Sequence, residues 1–272
     1  MPELPEVETV CRSLKELIIG KRINKVEVFY ERIIQSDLTE FKELLVKQTF
    51  RDIKRRGKYI LFVLDDYIIV SHLRMEGKYF LKGNEEKEKH EHVIFYLENE
   101  ETFRYNDTRK FGTMQLFKTN NYEEVIKLDP LKKLGIEPIS GDLTKEYLKE
   151  KFKNKKEPIK TALLDQTIIC GLGNIYADEV CFMARVNPKQ KACEVSEEKL
   201  EKIIESSIIV LNKAISLGGT TIKSFVSSHA VTGLFQNELL VHTKEVCPIC
   251  NKKITKIYVG GRGTYYCEDC QK

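Results

Sequence analysis

Two cysteine pairs near the C-terminus constrain this chain more than any other feature. They are C-x-x-C sequences with 16 residues between them, formed by Cys247, Cys250, Cys267 and Cys270. Each pair can hold two thiolate sulfurs near one ion, and strand-like residues at 256–259 and 264–266 would form a hairpin between the pairs. The spacing therefore predicts a zinc ribbon with one structural Zn²⁺; iron in a rubredoxin-like site is the alternative.

The composition excludes several classes of protein. Eight cysteines in 272 residues are too sparse for a disulfide scaffold, and the length suggests about two domains. The longest apolar runs are far shorter than the roughly 20 residues of a membrane span. Acidic residues occupy the N-terminus, where a secretory signal would be basic. We therefore expect a cytoplasmic protein without membrane association, in which the four scattered cysteines are buried apolar residues: Cys11, Cys170, Cys181 and Cys193.

The first half of the chain changes from helical to strand-like periodicity. Apolar residues recur at helical spacing from Val7 to Ile18, and Gly20 is a plausible stop. Short runs rich in Val, Ile, Phe and Tyr follow, at 25–30, 58–64, 67–73, 92–97, 102–105 and 113–117. This order predicts an N-terminal helix and a β-sandwich within residues 1–130.

The second half is predicted to be mostly helical. Pro and Gly mark residues 131–141 as a linker, and a helix with Ser196 as N-cap should run to Gly218. Helical segments at 160–169 and 175–184 are joined by the glycine-rich residues 170–174, which predicts a helix-two-turn-helix motif within residues 142–240. With the zinc ribbon at 241–272, the chain is expected to be an α+β protein.

The first residues allow a chemical interpretation. If Met1 is removed, Pro2 becomes a secondary amine at the positive end of a helix, which is an exposed nucleophile. It would form a cationic iminium with a sugar aldehyde, and the neighbouring Glu3 could move protons. An ordinary helix start is the alternative, because Pro and Glu both suit a first helical turn.

Three separated motifs resemble one family of proteins. They are the N-terminal sequence Pro2-Glu3-Leu4-Pro5-Glu6-Val7-Glu8, the turn Gly171-Leu172-Gly173-Asn174-Ile175-Tyr176-Ala177, and the four-cysteine ribbon with Arg262 among glycines. Together they resemble bacterial formamidopyrimidine-DNA glycosylases, and the resemblance runs from residue 2 to the last cysteine pair. It implies a bifunctional DNA glycosylase and AP lyase of base-excision repair that removes oxidised purines such as 8-oxoguanine.

The resemblance implies a role for each catalytic candidate. Pro2 would attack the sugar C1′ of a flipped nucleotide, and Glu3 would protonate the ring oxygen as it opens. Lys58 would be the proton donor of β-elimination, Arg262 would serve δ-elimination and phosphate contact, and Glu6 would be a further acid of the site. Without the family, Lys58 would be taken for a solvated strand-end lysine and Arg262 for an exposed turn residue.

The resemblance also implies a DNA interface. Such enzymes extrude the damaged nucleotide and fill the gap with side chains, here Met75, Arg109 and Phe111. Arg109 would face the orphaned base and favour cytosine there. The remaining candidate backbone contacts are Asn174 at a helix start, His90, Lys155 and Lys160. A lesion-covering loop is expected within residues 218–235, and the partner is double-stranded DNA bound by a monomer.

Some features depart from the family or leave alternatives open. Lys110 stands where the family often has a second arginine, and retained Met1 would make the Pro2 nitrogen an amide. An endonuclease VIII-type glycosylase acting on oxidised pyrimidines is the nearest alternative, and a non-catalytic zinc-ribbon DNA-binding protein is another. The net charge is only +4, but Lys and Arg cluster at 51–58 and 151–160 while acids collect at 85–91 and 194–205, so a dipolar DNA-binding surface is expected.

Overall fold

Helix α1 (Leu4–Ile18) begins the fold and buries one stripe of apolar side chains. In the computed structural model, which describes residues 1–220 and 233–272, Val7, Val10 and Leu14 are almost completely buried along this stripe. Their spacing of three and four residues puts them on one helical face. The predicted N-terminal helix is confirmed, and it begins three residues earlier than the periodicity indicated.

Eight strands form two antiparallel sheets of four. The first sheet has the order β1-β6-β7-β5, and the second has the order β2-β3-β4-β8. The strands are β1 (Ile23–Val28), β2 (Asp52–Arg56), β3 (Tyr59–Val63), β4 (Ile68–His72), β5 (Lys78–Lys82), β6 (Glu91–Leu97), β7 (Thr102–Asn106) and β8 (Thr113–Phe117). All six predicted strands are present, whereas the edge strands β2 and β5, which carry several basic residues, were missed because solvent-facing charges break their apolar pattern.

Aromatic side chains from both sheets meet in one core, which makes the two sheets a β-sandwich. The ring of Phe62 on β3 lies 5.2 Å from that of Tyr79 on β5 and 5.7 Å from that of Phe103 on β7. Burying each such ring stabilises the fold by roughly 1.5–3 kcal/mol. Two short helices, α2 (Leu38–Glu43) and α3 (Tyr122–Val125), complete this part of the chain.

The later part of the chain is helical. It contains α4 (Lys145–Phe152), α5 (Ile159–Leu163), α6 (Asn174–Met183) and α7 (Glu197–Ser216). The hydroxyl of Ser196 accepts the backbone N–H of Lys199, which confirms the predicted N-cap of α7. Helix α5 ends six residues earlier than predicted, because Asp165 accepts the backbone N–H of Thr167 and turns the chain.

A two-stranded hairpin, β9 (Thr255–Val259) and β10 (Arg262–Tyr266), completes the fold. Gly260 and Gly261 form its turn with φ values of 55° and 75°, a left-handed conformation that favours glycine. Arg262 therefore begins a strand and does not lie in the turn itself. Among the scattered cysteines, Cys11, Cys170 and Cys181 are buried as predicted, but Cys193 is exposed, so that prediction was wrong for one of the four.

The chain divides into two compact units. One contains residues 1–2 and 6–132, and the other contains residues 3–5, 133–220 and 233–272. The boundary falls inside the segment 131–141, where short 3-10 turns occur at Leu131–Lys133 and Pro138–Ser140. Throughout 1–220 and 233–272, no helix has both the length and the apolar character needed to cross a membrane.

Candidate active site and nucleic-acid interface

The four C-terminal cysteines form a site whose dimensions suit zinc. The Sγ atoms of Cys247 and Cys270 are 3.8 Å apart, those of Cys250 and Cys267 are 3.5 Å apart, and all four lie within 4.8 Å of one another. A tetrahedron with Zn–S bonds of about 2.3 Å needs S···S separations of about 3.8 Å. Four thiolates fill the coordination sphere, so the site fits a structural ion and leaves no position for a reacting water.

A clamp at the start of α6 fixes the residue beside Pro2. The buried carboxylate of Glu3 accepts the backbone N–H groups of Gly173 at 2.7 Å and Ile175 at 2.9 Å. These are orphan donors of the helix N-terminus, where a carboxylate is also favoured by the helix dipole. A Cβ on Gly173 would lie 2.3 Å from the Glu3 Cδ, so only glycine allows this approach. The backbone N–H of Leu4 also donates to the Gly171 carbonyl at 3.1 Å.

Polar contacts tie the zinc-ribbon hairpin to α5 and α6. The Lys160 ammonium is 2.7 Å from the Asp178 carboxylate and donates to the Gly263 carbonyl and the Thr264 hydroxyl. The amide of Asn174 donates to the same carbonyl at 3.0 Å. These bonds fix the first residues of β10 and so place Arg262, whose side chain remains exposed, immediately beside a rigid anchor.

The structure corrects the role predicted for Lys160. Its side chain is 0% exposed, and its ammonium is paired with a carboxylate and donates to a carbonyl and a hydroxyl. A buried ammonium with these partners does not reach a backbone phosphate. Lys160 is therefore a structural residue that holds the ribbon hairpin.

Three residues of this network were missed in the sequence. Asp178 bridges Lys160 and His242, whose Nδ1 lies 2.7 Å from the second carboxylate oxygen. Glu179 accepts the backbone N–H groups of residues 240–242 at distances of 2.7 to 3.0 Å, and burial raises its pKa. An acidic pair inside an otherwise apolar helix was the available signal, because buried carboxylates need partners.

Lys58 lies at the turn between β2 and β3 and is only 5% exposed, so it is not a solvated lysine. His72 on β4 is paired in register with Tyr59. Burial, together with the charges of Arg74 and Lys58, lowers the pKa of His72 to about 3. His72 is therefore neutral at pH 7, and its Nδ1 accepts the backbone N–H of Arg74 at 2.9 Å.

At least two of the five basic residues in the run 51–58 are paired with acids. Arg55 is bound to Glu8 at 2.9 Å, and Arg51 is bound to Asp65 at 2.6 Å. Burial would raise the pKa of Glu8, but its bonds to Arg55 and Arg12 hold the pKa below its usual value. These two guanidinium groups therefore neutralise carboxylates, which corrects the expectation that the whole run faces DNA. Glu6, which lies in helix α1 like Glu8, is buried.

The three side chains predicted to fill the gap in DNA are exposed on two loops of the sandwich. Met75 is 40% and Phe111 is 53% exposed, although apolar residues in strand-rich sequence are more often core residues. The Arg109 guanidinium lies 4.9 Å from the centre of the Phe111 ring. The structure thus presents two large apolar side chains and one cation to solvent.

Two further residues predicted to contact the DNA backbone are His90, which precedes β6, and Lys155, which lies between α4 and α5. His90 is half-buried at a residue with φ of 76°, where its carbonyl accepts the backbone N–H of Asp107. Lys155 is 3.0 Å from Glu157 and 3.1 Å from Asp165, and the hydrogen bond to Glu157 raises its pKa. Residues 221–232, which contain most of the expected lesion-covering loop, lie outside the described residues.

Comparison with known proteins gives consistent matches along the chain. Family models match the formamidopyrimidine-DNA glycosylase N-terminal domain over residues 1–114, its H2TH domain over 134–226, and a zinc finger found in FPG and IleRS over 244–272. Formamidopyrimidine-DNA glycosylases of Cytobacillus firmus and Bacillus licheniformis are each 47% identical over 100% of both chains.

Solved structures agree with these matches. A Lactococcus lactis FPG mutant in complex with Fapy-dG-containing DNA has a TM-score of 0.92 and 40% identity over 100% of each chain. A complex of Lactococcus lactis Fpg with DNA containing an abasic site has a TM-score of 0.91 and 40% identity over 99% of each chain.

The sandwich, the helix-two-turn-helix segment and the four-cysteine ribbon define the class of zinc-ribbon DNA glycosylases. This chain belongs to the formamidopyrimidine-DNA glycosylase family. It is a base-excision repair glycosylase and AP lyase for oxidised purines, and its ribbon is a site for one zinc ion. The predicted family, fold class, reaction and metal are confirmed, whereas the endonuclease VIII-type and non-catalytic alternatives are not supported.

Proposed function

We propose that the reaction of this chain runs through the nitrogen of Pro2, once Met1 has been removed. The observation that carries this assignment is the Glu3 clamp, because two backbone N–H groups hold the residue next to Pro2 in one position. The Pro2 nitrogen would form a bond to C1′ of the damaged nucleotide while the bond from C1′ to the base breaks. Glu3 would protonate the ring oxygen as the sugar opens, leaving a cationic iminium.

Elimination would follow from this iminium. Loss of a C2′ proton would break the bond from C3′ to its phosphate oxygen, and the second elimination would break the bond from C5′ to its phosphate oxygen. Lys58 would supply the proton to the first leaving group, and Arg262 would bind the phosphate and serve the second step. The burial of Lys58 and the anchored but exposed position of Arg262 support these roles. Glu6 is proposed as a further acid of the site.

Met75, Arg109 and Phe111 are proposed to fill the gap left by the extruded nucleotide. Their exposure supports this role, because side chains that enter the base stack must be accessible to the duplex. Arg109 would donate to the orphaned base and favour cytosine, which offers acceptors on its pairing edge. His90, Lys155 and Asn174 are proposed as backbone contacts.

The protein is proposed to act on duplex DNA as a monomer, in the cytoplasm and at the nucleoid. Its parts are proposed to be a catalytic unit (1–130), a linker (131–141), a helical domain (142–240) and a zinc ribbon (241–272). The bacterial relatives and the matched DNA complexes support a cytoplasmic site of action.

Intact mass and borohydride trapping test the proposal. Mass spectrometry should show a chain that lacks Met1, and borohydride should trap a covalent adduct with an 8-oxoguanine·cytosine duplex. Pro2→Gly should lose this adduct, whereas Pro188→Gly, which changes a proline outside the N-terminal sequence, should retain it. Retained Met1 in an active preparation, or a trapped adduct in Pro2→Gly equal to that of the unchanged protein, would contradict the assignment of Pro2.

A further inference from the structure

The loop that carries Arg109 and Phe111 is organised by one buried carboxylate. Asp107 is 0% exposed, and its Oδ1 accepts the backbone N–H of Arg109 at 2.9 Å. Its Oδ2 accepts the backbone N–H groups of Phe111 at 2.9 Å and Gly112 at 2.8 Å. One side chain therefore binds the main chain on both sides of Lys110, whose φ of 57° marks the reversal of the loop.

A buried tyrosine joins this loop to the loop that carries Met75. The Tyr105 hydroxyl donates to the Asp107 Oδ2 at 3.3 Å, and burial raises the pKa of Tyr105, so the donor stays protonated. A Cβ on Gly112 would lie 1.6 Å from this hydroxyl oxygen, and a Cβ on Gly77 would lie 2.4 Å from it. Two glycines thus let both loops close on the same oxygen atom.

Two further contacts hold the same arrangement. The Thr108 hydroxyl donates to the Glu76 carboxylate and bridges the two loops at the surface. On the inner side, the main chain of Asp107 is bound to His90 through its N–H and to the His92 Nε2 through its carbonyl, at 3.0 and 2.8 Å. The two loops are therefore one hydrogen-bonded assembly built from protein groups alone.

We propose that Asp107 is the positioning residue that sets Arg109 and Phe111 before DNA binds, and that it thereby determines discrimination of the base opposite the lesion. This inference rests on the proposed role of those two side chains. A loop that is already ordered does not lose conformational freedom on binding, and its guanidinium meets the orphaned base in one orientation. Asp107 itself touches neither the base nor the sugar in this role; it acts through the main chain of the loop.

Asp107→Asn tests the proposal with little change in volume. An amide has one acceptor oxygen, and its NH₂ group would face backbone N–H donors that the carboxylate now binds. The zinc-loaded full chain would be assayed on 8-oxoguanine·cytosine and 8-oxoguanine·adenine duplexes and on a single-stranded abasic oligonucleotide. The single strand has no orphaned base, so its cleavage needs the chemistry but not the two loops.

We expect kcat/KM on the cytosine duplex to fall roughly 30- to 100-fold, the scale of a catalytic misplacement of about 1 Å. The ratio of cytosine to adenine duplex cleavage should fall as well, while single-strand cleavage stays within about twofold of the unchanged protein. Asp65→Asn is the matched control, because Asp65 also binds a backbone N–H and an arginine in the sandwich. It should leave both duplex discrimination and single-strand cleavage unchanged.

The outcomes separate this inference from the proposed function. Equal losses on duplex and single strand, or unchanged discrimination in a folded Asp107→Asn, would overturn the role of Asp107 even if the unchanged protein forms its covalent adduct. Absence of that adduct in the unchanged protein would reject the proposed function instead. If Asp107→Asn does not fold, Tyr105→Phe removes only the hydroxyl that donates to Asp107 and should show the same pattern at smaller amplitude.

A spectroscopic measurement gives a readout independent of activity. The chain contains no tryptophan, so Phe111→Trp would introduce a single reporter into the loop. Its time-resolved anisotropy should show little local motion when Asp107 is present and a larger fast component in the Phe111→Trp/Asp107→Asn double variant. Identical decays in the two proteins would count against a positioning role.

Discussion

The loop around Asp107 and the zinc-ribbon hairpin each hold an arginine in place, but they do so through different interactions. Each must hold an exposed arginine, Arg109 or Arg262, on a short segment at the surface. The sandwich loop uses one carboxylate and three backbone N–H groups above a tyrosine hydroxyl. The ribbon uses four thiolates for a metal ion and a buried Lys160–Asp178 pair.

This difference determines how much structure each segment should lose when its main interaction is removed. A carboxylate that binds backbone donors contributes a few hydrogen bonds of about 0.5–3 kcal/mol each, so its loss should loosen one loop. A structural zinc site contributes about 10–16 kcal/mol of binding free energy, so its loss should unfold the ribbon. Loss of one of these contacts should therefore loosen the sandwich loop only partly, whereas loss of the zinc ion should unfold the whole ribbon.

Loss of the metal should have the largest effect. Cys247→Ser removes a thiolate ligand, and we expect stoichiometric zinc and duplex binding both to be lost, because the hairpin with Arg262 loses its support. Metal analysis and a fluorescence-anisotropy titration with lesion duplex measure the two quantities. Cys193→Ser, at the exposed cysteine outside the four-cysteine site, is the matched control and should keep both. Full DNA affinity in a zinc-free Cys247→Ser would contradict the comparison.

Breaking the buried ion pair should have the next largest effect. Lys160→Met leaves the Asp178 carboxylate without its ammonium, and we expect a loss of about 3–5 kcal/mol in the free energy of unfolding. Urea denaturation measures this loss. Lys191→Met removes a similar pair with Glu194 at the surface, where solvent screens the charges, and should change the urea midpoint far less than Lys160→Met does. Equal costs for the two variants would show that the Lys160 pair does not anchor the hairpin.

Closing the space at Gly173 should lower both activity and stability. In Gly173→Ala the new methyl group would meet the Glu3 carboxyl group, and we expect overpacking of about 1–3 kcal/mol together with a loss of at least tenfold in the rate of borohydride-trapped adduct formation. Gly83→Ala is the control, since a Cβ there has only an ordinary contact at 3.6 Å. An unchanged trapping rate in Gly173→Ala would mean that the Glu3 clamp is dispensable.

The smallest expected effect is the acid sensitivity of the sandwich. Burial lowers the pKa of His72 from its ordinary value of 6.5 to about 3 in the folded protein, so the folded state binds fewer protons than the unfolded state between these limits. Its contribution to stability is complete above pH 6.5 and falls as the pH drops, by up to about 1.4 kcal/mol per pH unit. Urea midpoints at pH 7.5 and 5.0 should therefore differ less in His72→Gln than in the unchanged protein. The same pH dependence in both proteins would exclude His72 as its source.

The sequence predicted the parts of the molecule whose signals are local. The C-x-x-C spacing predicted the ribbon, helical periodicity predicted α1 and α7, and short runs rich in Val, Ile, Phe and Tyr predicted six strands. The edge strands β2 and β5 escaped because lysine and arginine occupy their solvent faces. The role of Lys160 was predicted wrongly because the sequence does not distinguish a lysine that forms a buried ion pair from one that contacts a phosphate.

The sequence by itself determined the family, the metal ligands and the candidate nucleophile, since each depends on residue types at fixed spacing. Only the tertiary structure decided which charges remain available. Arg55 is bound by Glu8, Lys160 by Asp178, and the loop N–H groups by Asp107. The physical reason is that a charge or a backbone donor binds whatever partner the fold brings within about 3 Å. The carboxylate that binds Arg55 lies dozens of residues away along the chain, whereas the backbone donors that Asp107 binds lie only two to five residues away.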